Sequence, residues 1–207
     1  ALALRMLPVA DGSDFMGSLR NPAGWNNIFG MRPSQGRVPN APSSDVYVSQ
    51  MPTEGPMGRH VTDLALLLST QAGYDPSAPL SLSTDPHIFT NDLTVDVSGL
   101  RVAWLGDLQG YLPIEVGVLD ACRAGLARLQ HIGCHIEEAQ LNTPPEEVWQ
   151  IWLLWRKVLV ASRLAPYMQN PSNRAQIKPE AQWEYDQGQG LSASQFMAGS
   201  VGRSAFY

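Results

Sequence analysis

Lysine is nearly missing from this chain: only Lys157 and Lys178 occur among its 207 residues. Acidic residues outnumber basic ones, 19 against 14, for a formal net charge of −5. A nucleic-acid partner requires clustered Lys and Arg, so that class is excluded. Long apolar runs are lacking too. LALLL at 64–68 and IWLL at 151–154 fall far short of the roughly 20 residues a membrane helix needs, so no membrane partner is expected. Cysteine is scarce: Cys122 and Cys134 make no metal-type spacing and fit a reducing, cytoplasmic compartment better than a disulfide scaffold. Several catalytic motifs are absent as well. There is no Walker A sequence, no H-E-x-x-H, no C-x-x-C and no G-x-S-x-G elbow. Gly106 follows a predicted strand, but GDLQGYLPIE lacks the G-x-G-x-x-G turn of a dinucleotide site. His131, Cys134 and His135 straddle a helix end and a strand, and read as a buried thiol and two solvated imidazoles rather than a metal set.

What is present is an ordinary globular composition, 44% hydrophobic and 16% charged, with 18 glycines and 16 prolines that call for many turns. Residues 1–7 resemble the last turns of a helix stopped by Pro8, and 8–11 a short buried strand. A chain of turns follows from Pro22 to Pro42, with a short strand near Ile28–Met31 and an edge strand at Val46–Gln50. Leucines on one side predict a helix after an N-cap at Thr62, stopped by Gly73; a surface loop covers 74–94. A strand at 100–105, a helix at 115–130 and a strand at 134–139 compose a parallel βαβ unit. Two capping boxes, Thr143-x-x-Glu146 and Ser192-x-x-Gln195, open further helices. The chain begins and stops inside helical patterns without caps, which reads as the middle of a longer protein.

The segment DGSDFMGSLRNPA, residues 11–23, has no hydrophobic period. A serine is a poor nucleophile unless a base takes its proton and donors await the oxyanion. The amides of Phe15, Met16 and Gly17 immediately precede Ser18, and Gly17 has no Cβ to block an approaching carbonyl. Asp14 and Arg20 carry the charge to pin the two ends of the turn. Ser13 is better placed for local turn bonding. A structural Gly/Ser loop, or a passive anion nest, fits the composition as well.

The same residues resemble the signature of the amidase signature family. DGSDFMGSLRNPA and the following NNIFGMRPSQGRVP are similar to its G-T-D-x-G-G-S-[IL]-R-x-P-A…G-x-[KR]-P-[ST]-x-G-R. GPMGRHVTDLALLL at 55–68 is similar to its G-P-[ML]-x-R-x-V-x-D-x-A-x-x-L, and GLRVAWLGDLQGYLPIE at 99–115 to its next strand-to-helix stretch. The resemblance covers most of residues 10–140. It implies that Ser18 is the acyl-enzyme nucleophile, that the amides of Phe15, Met16 and Gly17 form the oxyanion hole, and that Asp14 and Arg20 support the loop. It implies further a relay serine and a lysine base, both upstream of the signature and matched by no position here. The chain alone is then expected to be inactive.

Two departures matter. Met16 replaces the first glycine of the Gly-Gly pair, and its side chain is expected to reach an acyl pocket. Pro52 stands where the tRNA-amidotransferase branch carries an aspartate, which favours a stand-alone amidase over an amidotransferase of the A type. A non-catalytic ligand-binding module is the reading from another class. Trp149, Trp152 and Trp155 share one helix at intervals of three. They read either as core or, for Trp149 and Trp152, as the wall of an apolar substrate pocket.

The expectation is thus an α/β protein, a mixed sheet flanked by helices, forming the central part of one amidase-signature domain. Residues 1–140 form the α/β part and 141–207 the mainly helical part. The resemblance implies a small-molecule amide substrate and no metal or organic cofactor. A homodimer is compatible with it.

Overall fold

A computed structural model describes all residues, 1–207. The chain divides into two compact units, Ala1–Val95 and Asp96–Tyr207. The architecture is α/β, but the strands fall into two small sheets. The βαβ unit belongs with the later helices to the second unit, and from Pro145 onward only helices follow.

In the first unit, β1 (Val9–Asp14) and β2 (Phe29–Gly30) each pair antiparallel with β3 (Thr53–Gly58), in the order β1-β3-β2. The register sets Gly12 opposite Gly55 and Asp14 opposite Thr53. Between β1 and β2 lies α1 (Arg20–Asn26). Helix α2 (Val61–Gln71) packs on β3 with Leu64 and Leu68 buried one turn apart. A short 3₁₀ helix at Pro86–Thr90 also packs against α2.

Several expectations are corrected here. Residues 1–7 form turns, with bonds from Arg5 N–H to Leu2 O and Met6 N–H to Ala1 O; Arg5 at φ 60° interrupts any right-handed helical run. No strand forms at Val46–Gln50, because the Asp45 carboxylate accepts from the N–H groups of Tyr47, Val48 and Ser49 and curls that segment. Thr62 lies inside α2, whose N-cap is His60 in extended conformation. Gly73 does follow the helix, at φ +136°.

In the second unit, β4 (Arg101–Trp104) and β5 (His135–Glu138) pair in parallel around α3 (Val118–His131). Helix α4 (Pro145–Met168) buries Trp155, Leu159, Ala161 and Met168. It is followed by α5 (Pro171–Arg174), α6 (Pro179–Gln189) and α7 (Ala193–Phe206), and α6 and α7 pack on α4. The capping box at Ser192 and Gln195 is formed in both directions. At α4 the N-cap is Pro144, without a side-chain cap, so Thr143 does not serve. No helix is long and apolar enough to cross a membrane.

Candidate active site

Asp14 ends β1 and is fully buried. A buried carboxylate is costly unless charged partners and N–H donors surround it. Here the chain folds back to supply them. Gly17 N–H donates to Oδ1 at 2.6 Å, and the N–H groups of Leu19 and Arg20 donate to Oδ2 at 3.3 and 3.4 Å. The Arg20 guanidinium adds a bidentate pair, Nε to Oδ2 at 3.0 Å and Nη2 to Oδ1 at 3.1 Å. Arg32 approaches from beyond β2, its Nη1 3.4 Å from Oδ1 and its Nη2 2.7 Å from the Met51 carbonyl oxygen. Burial pushes the Asp14 carboxyl up, but the Arg20 hydrogen bonds, the Gly17 and Leu19 amides and the Arg20 charge outweigh it. The group stays ionised well below the usual carboxylate range.

This wrapping presents Ser18. Gly17 is fixed at both ends, its N–H on Asp14 and its C=O accepting from Asn21 N–H at 2.8 Å. Gly17 takes φ +114°, and a Cβ there would stand 2.7 Å from Asn21 Nδ2. On the other side Leu19 is fully buried, its N–H on Asp14 and its C=O accepting from Ala23 N–H at 3.2 Å. Ser18 sits between these two fastened residues and is exposed, with no hydrogen bond to another residue of the chain.

The structure therefore brings Asp14 and Arg20 together and sets Phe15, Met16, Gly17 and Ser18 in one turn. It alters the donor set. Gly17 N–H, expected to face an oxyanion, is engaged by the buried Asp14 carboxylate, whereas the amides of Met16 and Ser18 have no acceptor in the chain. Met16 and Phe15 are half-buried. Ser13 lies on β1, exposed and opposite Glu54. Burial and the nearby Asp11 carboxylate push the Glu54 carboxyl up.

Sequence reasoning missed Arg32 and Leu19. The signal for each was at hand: the basic residue before Pro33, and the single aliphatic residue between Ser18 and Arg20.

Trp149 and Trp152 lie in the second unit, their rings stacked at 4.7 Å and 14°. Trp149 is half exposed. Trp155 is buried against Phe196 at 4.6 Å, with the Arg203 guanidinium 5.0 Å from its ring centre.

Comparison with known proteins converges on one family. The chain is 35% identical over 156 residues to an acylamidase of Rhodococcus erythropolis, covering 74% of this chain and 32% of that protein. It is 33% identical over 141 residues to the A-type component of the glutamyl-tRNA(Gln) amidotransferase of Enterococcus faecalis, covering 68% of this chain and 28% of that one. The crystal structure of a bacterial aryl acylamidase of the amidase signature family superposes with a TM-score of 0.86 at 27% identity, over 98% of this chain and 43% of that chain. The chain thus spans about a third of these curated relatives and under half of the solved structure. The amidase family model matches residues 1–192, across both the signature turn and the helices that follow, and the chain belongs to the amidase signature family.

Proposed function

We propose that the protein carrying this chain hydrolyses a carboxamide through an acyl-enzyme on Ser18. The observation that supports this most directly is the exposed Ser18 hydroxyl, held between two residues that are both tied to a buried, doubly ion-paired Asp14. Such fixing makes attack effectively intramolecular once substrate is bound.

Ser18 Oγ attacks the carboxamide carbon while its proton passes to the relay serine and lysine implied by the family. The carbonyl oxygen becomes an oxyanion facing the amides of Met16 and Ser18, with Phe15 alongside; one such donor is worth about 10²–10³ in rate. The C–N bond breaks, the nitrogen leaves with the relayed proton, and ammonia or an amine departs. Water then adds to the ester, its proton returns through the relay, and the carboxylic acid leaves as Ser18 regains its hydrogen. Met16 is assigned to shaping the acyl pocket, and the Trp149–Trp152 stack to an apolar wall within the second unit. We place the protein in the cytoplasm, acting without partner proteins.

The test is covalent labelling of the full-length protein by a fluorophosphonate, read by mass spectrometry. Labelling at Ser18, lost in Ser18→Ala together with amide turnover, is expected. An unlabelled but folded protein that retains ligand affinity in Ser18→Ala would instead be a binding module. Pro52 favours a stand-alone amidase over a component of an amidotransferase. Absence of free amide hydrolysis without partner proteins would reverse that preference.

A further inference from the structure

The residue after the nucleophile sits in a slot lined by a glycine from each strand of the first sheet. A Cβ on Gly12 of β1 would lie 3.1 Å from Leu19 Cδ2, and one on Gly55 of β3 would lie 2.9 Å from Leu19 Cδ1. A Cβ on Gly30 of β2 would lie 2.7 Å from the Leu19 carbonyl oxygen. Gly12 and Gly55 face each other across the β1–β3 ladder, so the two methyl ends of Leu19 are gripped by one cross-strand pair.

We propose that Leu19 is a positioning residue for the reaction, seating Ser18 through this three-glycine slot; the proposal rests on Ser18 being the nucleophile. The bonds from Gly17, Leu19 and Arg20 all converge on the Asp14 carboxylate, a single point about which the turn can pivot. The Leu19 side chain opposes this freedom, because it enters between Gly12 and Gly55, where neither strand carries a side chain, while Gly30 admits its carbonyl. Close packing passes small volume changes on to neighbours rather than absorbing them. The Ser18 Cα, one bond unit from Leu19, moves with it.

Gly12 offers the cleanest probe. Apart from Leu19, a Cβ there meets only Met57 Sδ, at 3.9 Å, whereas at Gly55 it would also strike the Met31 carbonyl oxygen at 2.3 Å. Gly12→Ala therefore pushes chiefly on Leu19, and Leu19→Val removes a methylene from the same slot. Each variant alone is expected to slow fluorophosphonate labelling of Ser18 in the full-length protein about tenfold, since misplacing a reacting group by about 1 Å costs ~10²-fold and these shifts are smaller. The double variant refills the slot and is expected to recover most of the rate. The amide reaction should show kcat falling and recovering in the same pattern with KM steady.

Equal labelling rates in wild type, Gly12→Ala and Leu19→Val, all folded, would overturn the positioning role. So would loss of rate in the single variants with no recovery in the double. Should Gly12→Ala not fold, Leu19→Val decides alone: a wild-type labelling rate in that variant overturns the role, and a slowed rate with KM steady supports it. Failure of the nucleophile assignment looks different, because wild type itself is then unlabelled at Ser18.

Discussion

The Gly17 N–H lies 2.6 Å from Asp14 Oδ1, and this bond commits an amide of the Ser18 turn to holding the turn's own shape. Asp14→Ala leaves three N–H groups and two guanidinium groups facing a void, while Asp14→Asn keeps an acceptor without the charge. Removing one partner of a buried pair costs about 3–5 kcal/mol. Urea denaturation is expected to show that loss for Asp14→Ala and a smaller one for Asp14→Asn, with Ser18 labelling suppressed in both. Arg20→Ala should be milder, about 1 kcal/mol, because the Arg20 side chain is 53% exposed and Arg32 remains.

Two carboxylates of this sheet give opposite pH dependences. Asp14 has a folded pKa well below its unfolded value, so its stabilisation is complete above the ordinary carboxylate pKa of about 4 and is lost as pH falls through the folded value. Melting temperature measured from pH 7 to pH 3 should fall at the acid end, and fall less steeply in Asp14→Asn.

Glu54 is shifted upward by burial and by Asp11. Its ionisation therefore opposes folding above the folded pKa, and the penalty disappears as pH drops through it. Glu54→Gln should melt higher than wild type at pH 7, with the advantage shrinking as the pH is lowered. An unchanged melting temperature at neutral pH would contradict this.

Gly17→Ala combines a left-handed φ with a steric overlap on Asn21. A non-glycine residue there costs about 1–3 kcal/mol from backbone strain. Adding Asn21→Ala should relieve the overlap but not the strain, so thermal melts of single and double variants separate the two contributions.

The two kinds of tryptophan in α4 should respond differently. Trp155→Ala empties a buried site against Phe196 and is expected to cost about 3–5 kcal/mol. Trp149→Ala loses a half-exposed stack and is expected to cost only about 0.5–1.5 kcal/mol, a difference that urea denaturation of the two variants should resolve.

The helices and the parallel pair were legible because their signals are local. Leu64 and Leu68 recur at one turn, Ser192 and Gln195 are three apart, and β4 and β5 flank one amphipathic helix. Strand β3 was hidden by its own composition. TEGPMG contains a proline and two glycines, and its glycines are there to admit Leu19 and Leu64 rather than to turn the chain. Val46–Gln50 misled in the opposite direction, since Asp45 overrides a β-prone run with three side-chain bonds. At the site, the Asp14–Arg20 pair followed from the charges at the two ends of the turn, whereas the choice of Ser18 over Ser13 rests on the family resemblance. Arg32 and the sequestered Gly17 amide followed from neither, because each depends on where a carboxylate becomes buried.

Asp14 is at once the last rung of the β1–β3 ladder, opposite Thr53, and the acceptor for the amides that follow it. The turn cannot open while that rung is closed. Its bonded amides, those of Gly17 and Leu19, should therefore exchange with solvent hydrogen as slowly as the ladder's, while those of Met16 and Ser18 exchange fast. A segment that looks like surface loop then behaves, on the timescale of opening, as a continuation of the sheet.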